Sequence, residues 1–347
     1  MLDDSLSDAT RPRAIPSPSY NRPPVTEPKV HEDVPTDRTG SVRTVTVAVC
    51  TRDRQDTIHQ CLASLISQDY PKDAYEVIVV DDESTDRTAE IATAFASDAP
   101  PVVRYIRQPY SGLSVGRNRA INEGNGDLIC FIDDDAEATP GWLSAMVAAA
   151  NRHPDVECFG GKLLLRLEGS APRTCGKESL GATLDLGDDE QTITQVKGSN
   201  MAMLRSAFVR IGLFNPALVW RGDEENWIHR LHEQGGRALY VPQGLVWHRR
   251  LPADLRLRTL LKTRFGWGVG QVQFKRETGE PFEPRVELRV LRSALVHAVR
   301  DRCTGGLLQA AVKLGALWGG YFGELRKPKQ NAPTLAPSED LPQDRNQ

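Results

Sequence analysis

The sequence contains no cysteine pair at C-x-x-C spacing: its six cysteines stand apart at 50, 61, 130, 158, 175 and 303. Several fall in apolar, strand-like runs, where a free thiol behaves as a small hydrophobe. A reduced compartment is the simpler setting for such thiols. No apolar run reaches the ~20 residues needed to span a bilayer. The opening MLDDSLSDAT lacks the basic-then-apolar pattern of a secretory signal. Charge is also nearly balanced, at −3. No basic stripe with interleaved aromatics is present, which argues against nucleic acid as a partner. These absences lead us to expect a cytoplasmic protein, attached at most peripherally to the inner face of the cell membrane. What remains is ordinary globular material: 39% hydrophobic and 26% charged over 347 residues, enough for one large domain or two small ones.

Residues 1–41 are rich in Pro, Ser, Asp and Arg without periodicity. Such a segment buries too little apolar surface to offset its ordering entropy, and we expect it to be disordered. Order is expected from Arg43. VTVAVC (45–50), YEVIVV (75–80), PVVRYI (101–106) and DLICFI (127–132) read as strands. Between them lie helical patterns: a stripe of Ile58, Leu62, Leu65 and Ile66, a helix through Ile91 and Phe95, and one from Leu113 to Glu123. Apolar strands alternating with amphipathic helices predict a parallel sheet covered on both faces. In such sheets ligands bind beyond the carboxyl ends of the strands. The second half predicts a helix from Trp142 to Asn151, a strand near Cys158 to Leu165 and a Gly- and Asp-rich loop over 168–192. Next come Gly198 to Leu204, a helix near Arg221 to Gln234, and two short strands at Ala238 to Val241 and Leu245 to Trp247.

FIDDDA (131–136) carries the strongest chemical signal. Crowded carboxylates after a buried strand are costly unless a cation neutralises them. If strand geometry continues, Asp133 and Asp135 point the same way and suit Mg²⁺ or Mn²⁺. The plainer reading is an acidic loop. In VVDDESTDRT (79–88), Asp81 or Asp82, with Asp82 favoured, suits a ligand's base edge or ribose, whereas Ser84 or Asp86 suits a helix cap. SGLSVGRNRAI (111–121) brings Arg117 and Arg119 to a helix start, fit for phosphate or for a solvated face. Asp223, Glu224 and Glu225 open another helix, where acids complement the macrodipole; alternatively one is a general base. His248 follows an apolar run, and on local grounds reads as structural.

Taken in order, seven segments resemble the large inverting glycosyltransferase family 2 with its Rossmann-like GT-A fold. They are CTRDR (50–54), VVDDESTD (79–86), GLSVGRNRAI (112–121), FIDDDAEATPGWL (131–143), GSNMAMLR (198–205), GDEENWIHRL (222–231) and VPQGLVWH (241–248). The resemblance implies an α/β domain with a mainly parallel central sheet flanked by helices. Its nucleotide-binding half would cover about 42–136 and its acceptor half about 137–252, followed by a helical extension over 253–326 and a disordered tail over 327–347. It further implies that Thr51, Asp53 and Asp82 line the nucleotide pocket, with Asp82 meeting the base. Arg117 and Asn118 would lie near ribose and diphosphate. Asp133 would face ribose or sugar, with Asp134 beside it on the donor side. Asp135 would coordinate Mn²⁺ or Mg²⁺ on the diphosphate, and His248 would complete the metal shell. Gly198, Ser199 and Asn200 would lie under the donor sugar and acceptor. Glu224 would be the catalytic base, with Asp223 the second choice, since the family's Gly-Glu-Asp step reads Gly222-Asp223-Glu224 here. The implied reaction is a single displacement from a nucleotide sugar, UDP favoured, to a hydroxyl on a glycan, a lipid-linked or a small-molecule acceptor.

Two other classes compete. A sugar nucleotidylyltransferase would carry an early G-x-G-T-R loop, which VAVCTRDR lacks. A non-catalytic nucleotide-sugar-binding protein would have no need of Glu224 or Asp223. In the extension, LRLRTLLKTRFGWGVGQVQFKR (255–276) and GGLLQAAVKLGALWGGYFGELR (305–326) suit either packing on the catalytic domain or peripheral membrane contact.

Overall fold

The computed structural model describes residues 44–175, 179–218 and 222–322. The two termini expected to be disordered, and Arg221 at the expected helix start, lie outside the described residues. Four strands come first: β1 (Val45–Thr51), β2 (Tyr75–Asp82), β3 (Val102–Gln108) and β4 (Leu128–Ile132). Between them run α1 (Ile58–Ile66), α2 (Thr88–Ala94) and α3 (Leu113–Glu123). The strands pair in parallel in the order β3-β2-β1-β4. Their side chains alternate between two cores. Val47, Val49, Val77 and Val79 pack with α1 on one face, and Ala48, Ile78 and Val80 pack with α3 on the other. Each face is covered, so the strands read as continuous apolar runs rather than alternating ones. On α1 the buried stripe is Ile58, Cys61, Leu62 and Leu65. Ile66, expected on that stripe, is exposed, because the helix ends there.

The chain then forms β5 (Ala136–Ala138), α4 (Trp142–Arg152), β6 (Cys158–Leu167), β7 (Gln191–Ile193), β8 (Asn200–Leu204), α5 (Arg205–Ile211), α6 (Asp223–Glu233) and β9 (Ala238–Arg250). β8 enters antiparallel between β4 and β6. β9 runs parallel to β6 and takes β5 and β7 antiparallel on its other side. The result is an α/β fold whose longest ladders are parallel. The two short strands expected at 238–241 and 245–247 are one strand, β9. Its register against β6 steps from Gly161 opposite Val241 to Leu163 opposite Val246. Pro242 to Leu245 thus form a bulge, where a proline does not have to donate to a ladder.

Three helices close the described chain: α7 (Leu257–Thr278), α8 (Pro284–Arg300) and α9 (Thr304–Phe322). α9 packs against both others through small residues, among them Gly306, Ala310, Ala311 and Ala316. α7 is joined to the α/β part of the chain where Gln273 Nε2 donates to the Ala217 carbonyl at 2.9 Å. Among the described residues no helix is long and apolar enough to cross a membrane.

Candidate active site

The acidic cluster forms where β4 stops. The strand does not continue through Asp133; instead the Ala136 N–H donates to the Asp133 carbonyl at 3.1 Å and closes a tight turn. That turn, rather than a strand pleat, gathers the carboxylates. β5 then pairs with β9 with Ala136 opposite His248, which brings the imidazole to Asp135. Asp133, Asp135 and His248 each offer a ligand atom within 4.8 Å of the others.

Each of the three aspartates faces an arginine from a different element. Arg117 on α3 stands 3.8 Å from Asp133, Arg54 after β1 stands 3.2 Å from Asp134, and Arg250 ending β9 stands 3.0 Å from Asp135. Asp134 is buried, and desolvation pushes its carboxyl up to about 7; Arg54 opposes the rise, while the neighbouring aspartates add to it. Desolvation always favours the neutral acid. The three arginines limit that cost without removing it.

Arg117 connects this turn to the start of α6. Its guanidinium is buried and donates to Asp223 at 2.6 Å, and it lies 3.6 Å from Glu224. Gly222 opens the helix in the left-handed region at φ 93°, a backbone state glycine adopts freely. Asp223 is wholly buried, while the Glu224 side chain is 20% exposed. Burial and the adjacent Glu224 push Asp223 up to about 7 against the pull of Arg117. Gly198 makes room for all of this, since a side chain there would collide with Nη2 of Arg117.

The remaining expected site residues fall around the same rim. Thr51 is buried at the end of β1. The Asp53 carboxylate accepts from the Thr85 N–H at 2.7 Å and so ties the β1 turn to the β2 turn. Asp82 accepts from Gln108 and from the N–H groups of Ser111 and Gly112 at 2.8–3.0 Å, shaping the entry to α3. Asp86, rather than Ser84, takes the N–H of Thr88, the first residue of α2. Asn118 is engaged with the Phe214 backbone through both amide atoms. Ser199 donates to Asp133, and Asn200 is buried with its amide on Trp142, Lys162 and Gly244.

Known proteins resemble this chain in sequence and in fold. The model of the family described as "Glycosyl transferase family 2" matches residues 46–209. A "Glucosyl-dolichyl phosphate glucuronosyltransferase" of Haloferax volcanii is 26% identical over 238 residues, covering 65% of this chain and 72% of that protein. "Glycosyltransferase AglE" of the same organism is 29% identical over 245 residues, covering 68% and 75%. The match to this family and the relatives named above support a family 2 glycosyltransferase. It is a transferase, of a family that uses nucleotide-sugar donors. Its GT-A fold is shared with the mannosyltransferase PcManGT from Pyrobaculum calidifontis, solved with GDP-Man and Mn²⁺. There the TM-score is 0.57 at 18% identity, over 83% of this chain and 90% of that one.

The cluster of this transferase fits a divalent cation. His248 Nδ1 lies 3.3 Å from the Ala182 carbonyl, which can only accept and so holds a proton on Nδ1; Nε2 is the nitrogen that a neutral ring would offer to a metal. Nε2 in turn lies 3.1 Å from a carboxylate oxygen of Asp135. An imidazole nitrogen and two carboxylates so grouped make a donor set that suits a cation. Arg250 supplies positive charge there, with Nη2 2.9 Å from His248 Nε2. Sequence reasoning gave no role to Arg54 or Arg250. Each meets its aspartate from a different element of the fold, so no local spacing points to it.

Proposed function

We propose that this transferase inverts the anomeric centre of a UDP-sugar, with Glu224 as general base and a divalent metal held by Asp135, His248 and Asp133. The arrangement around Arg117 carries this reading: the ligand set lies on one side of the guanidinium and a partly exposed carboxylate on the other. When bound, Mn²⁺ or Mg²⁺ would stabilise the negative charge on the departing nucleoside diphosphate. Glu224 is reachable by an acceptor hydroxyl and takes its proton, whereas Asp223, sealed against Arg117, positions that helix end. One displacement needs no second, nucleophilic carboxylate. In this reading the strands up to the acidic turn hold the nucleotide, with Asp82 at the base. The second half and the helical extension receive the acceptor.

A lipid-linked acceptor is favoured. One relative is named for a glucosyl-dolichyl phosphate acceptor. On α8 the extension also exposes Leu288, Leu295, Val296 and Val299 among arginines of the same helix, a combination suited to an anionic bilayer surface at the inner face of the membrane.

Calorimetric titration with UDP, GDP and dTDP, with and without Mn²⁺, tests the donor site. Metal-dependent UDP binding that disappears in Asp135→Ala is expected. Preference for GDP or dTDP would overturn the base assignment alone. Glu224→Gln is expected to lower turnover by about 100- to 10,000-fold while UDP affinity stays the same. Unchanged turnover would remove Glu224 as base, and no nucleotide binding at all would overturn the donor site.

A further inference from the structure

A second cluster of metal-ligating side chains lies away from the catalytic rim, where the loop after β6 meets the corner between α8 and α9. Cys175 Sγ is 3.3 Å from Nε2 of His297, and Cys303 completes a group whose ligand atoms all lie within 4.8 Å of one another. We propose that Cys175, His297 and Cys303 form a zinc site that clasps this loop to the helical extension.

The donor set points to zinc rather than to the hard cations suited to the aspartate turn. Two sulfurs and an imidazole are borderline-soft ligands, which select Zn²⁺ over Mg²⁺ or Mn²⁺. The imidazole is already oriented for coordination. Nδ1 of His297 lies 2.6 Å from Asp301 Oδ2, and Arg300 holds the same carboxylate at 2.9 and 3.1 Å. A carboxylate behind the histidine fixes Nε2 as the ligating atom and raises its basicity. Cys303 sits just before α9. On binding, each thiol would release its proton to solvent and become the thiolate that a metal requires. Backbone contacts hold the two segments together independently: the Arg173 carbonyl accepts from the Thr304 N–H at 3.2 Å and from the Thr304 hydroxyl. Three protein ligands leave a fourth position for water.

The clasp sits at the root of a loop with duties at the active site. Further along, the Ser179 carbonyl accepts from Arg264 on α7, and the Ala182 carbonyl fixes the His248 tautomer. An ideal Cβ on Gly181 would stand 2.7 Å from Nε of Arg250.

Full-length protein, purified under reducing conditions with zinc supplied and then dialysed against zinc-free buffer containing Mn²⁺, is analysed for zinc by plasma mass spectrometry. Stoichiometric zinc is expected in the wild type and in Asp135→Ala, and its loss in both Cys303→Ser and His297→Gln. Asp301→Asn is expected to weaken zinc binding by about 10- to 100-fold. Cobalt(II) in place of zinc is expected to give a thiolate charge-transfer band in the wild type but not in Cys303→Ser. Three results would each overturn the proposal. One is zinc-free wild type whose Cys175 and Cys303 react freely with a thiol reagent. Another is zinc lost in Asp135→Ala but kept in Cys303→Ser. The third is a Cys175–Cys303 disulfide in protein isolated without reductant.

Discussion

Replacing Arg117 with methionine removes the cation between the acidic turn and α6 while keeping a side chain of similar reach against Phe131 and Phe214, whose rings the guanidinium overlies at 5.9 and 5.7 Å. Packing is thereby largely held constant and charge is not. The lost partner is a 2.6 Å charge-assisted bond to a wholly buried carboxylate, with weaker reach to Glu224 and Asp133. Stranding one member of such a pair costs about 3–5 kcal/mol. At about 2–4 °C per kcal/mol for a domain of this class, the melting temperature falls by about 6–20 °C. The pH dependence adds a signature. Asp223 already has a raised pKa, at about 7, and losing Arg117 raises it further. An acid whose native pKa exceeds its unfolded one gives stability that is present at low pH and lost as pH climbs through the native value. The gap between wild type and Arg117→Met is therefore smallest at about pH 6, where Asp223 is protonated in both, and widest at about pH 8. Scanning calorimetry at both values measures it. A drop that is equal at the two, or below ~2 °C, would refute Arg117 as the counter-ion of this site.

Three further outcomes follow from the same geometry. Wild-type kcat/KM should rise with pH through about 7 as the proton shared by Asp223 and Glu224 leaves. Asp223→Asn removes the like charge and should move that limb to lower pH, which a pH–rate profile resolves. Gly198→Ala presses a methyl group on the Arg117 guanidinium and should cost about 1–3 kcal/mol in urea unfolding, the usual range for overpacking. In the extension, Leu295 and Val299 are 44% and 80% exposed. At ~1.5 kcal/mol for each apolar side chain kept out of the bilayer, changing both to Asp should weaken co-sedimentation with anionic vesicles by roughly 100-fold. Equal sedimentation of the two proteins would rule out this face as a membrane contact.

The first four strands were legible because covering both faces forces a continuous apolar run, and little else produces one. β9 was not legible as a single element. Pro242 and Gly244 are sound signals of a broken ladder, and the ladder is indeed broken there, but the bulge absorbs the break and the chain keeps its direction. Asp133 and Asp135 were identified for their chemistry while the geometry was misread, since a turn and not a pleat gathers them. Arg250 was passed over because its value depends on which strand lies beside the acidic turn, a long-range fact no local spacing encodes. For the same reason Cys175, His297 and Cys303 carried no signal: their ligand atoms meet only once the loop reaches the helical corner, and His297 follows Cys175 by 122 positions.

The bulge in β9 also determines where this strand tolerates insertion and deletion. His248 and Arg250 sit two positions apart beyond it and share one side of the strand, with Leu165 and Ala136 paired to His248 from opposite neighbours. Losing one residue between Val246 and His248 would swing the imidazole to the far face of the sheet and abolish the cluster at a stroke. Losing one within Pro242 to Leu245 would only tighten a segment that is already out of register. Length variation among homologous chains should therefore collect in those four positions, leaving the strand beyond them fixed in phase with the acidic turn.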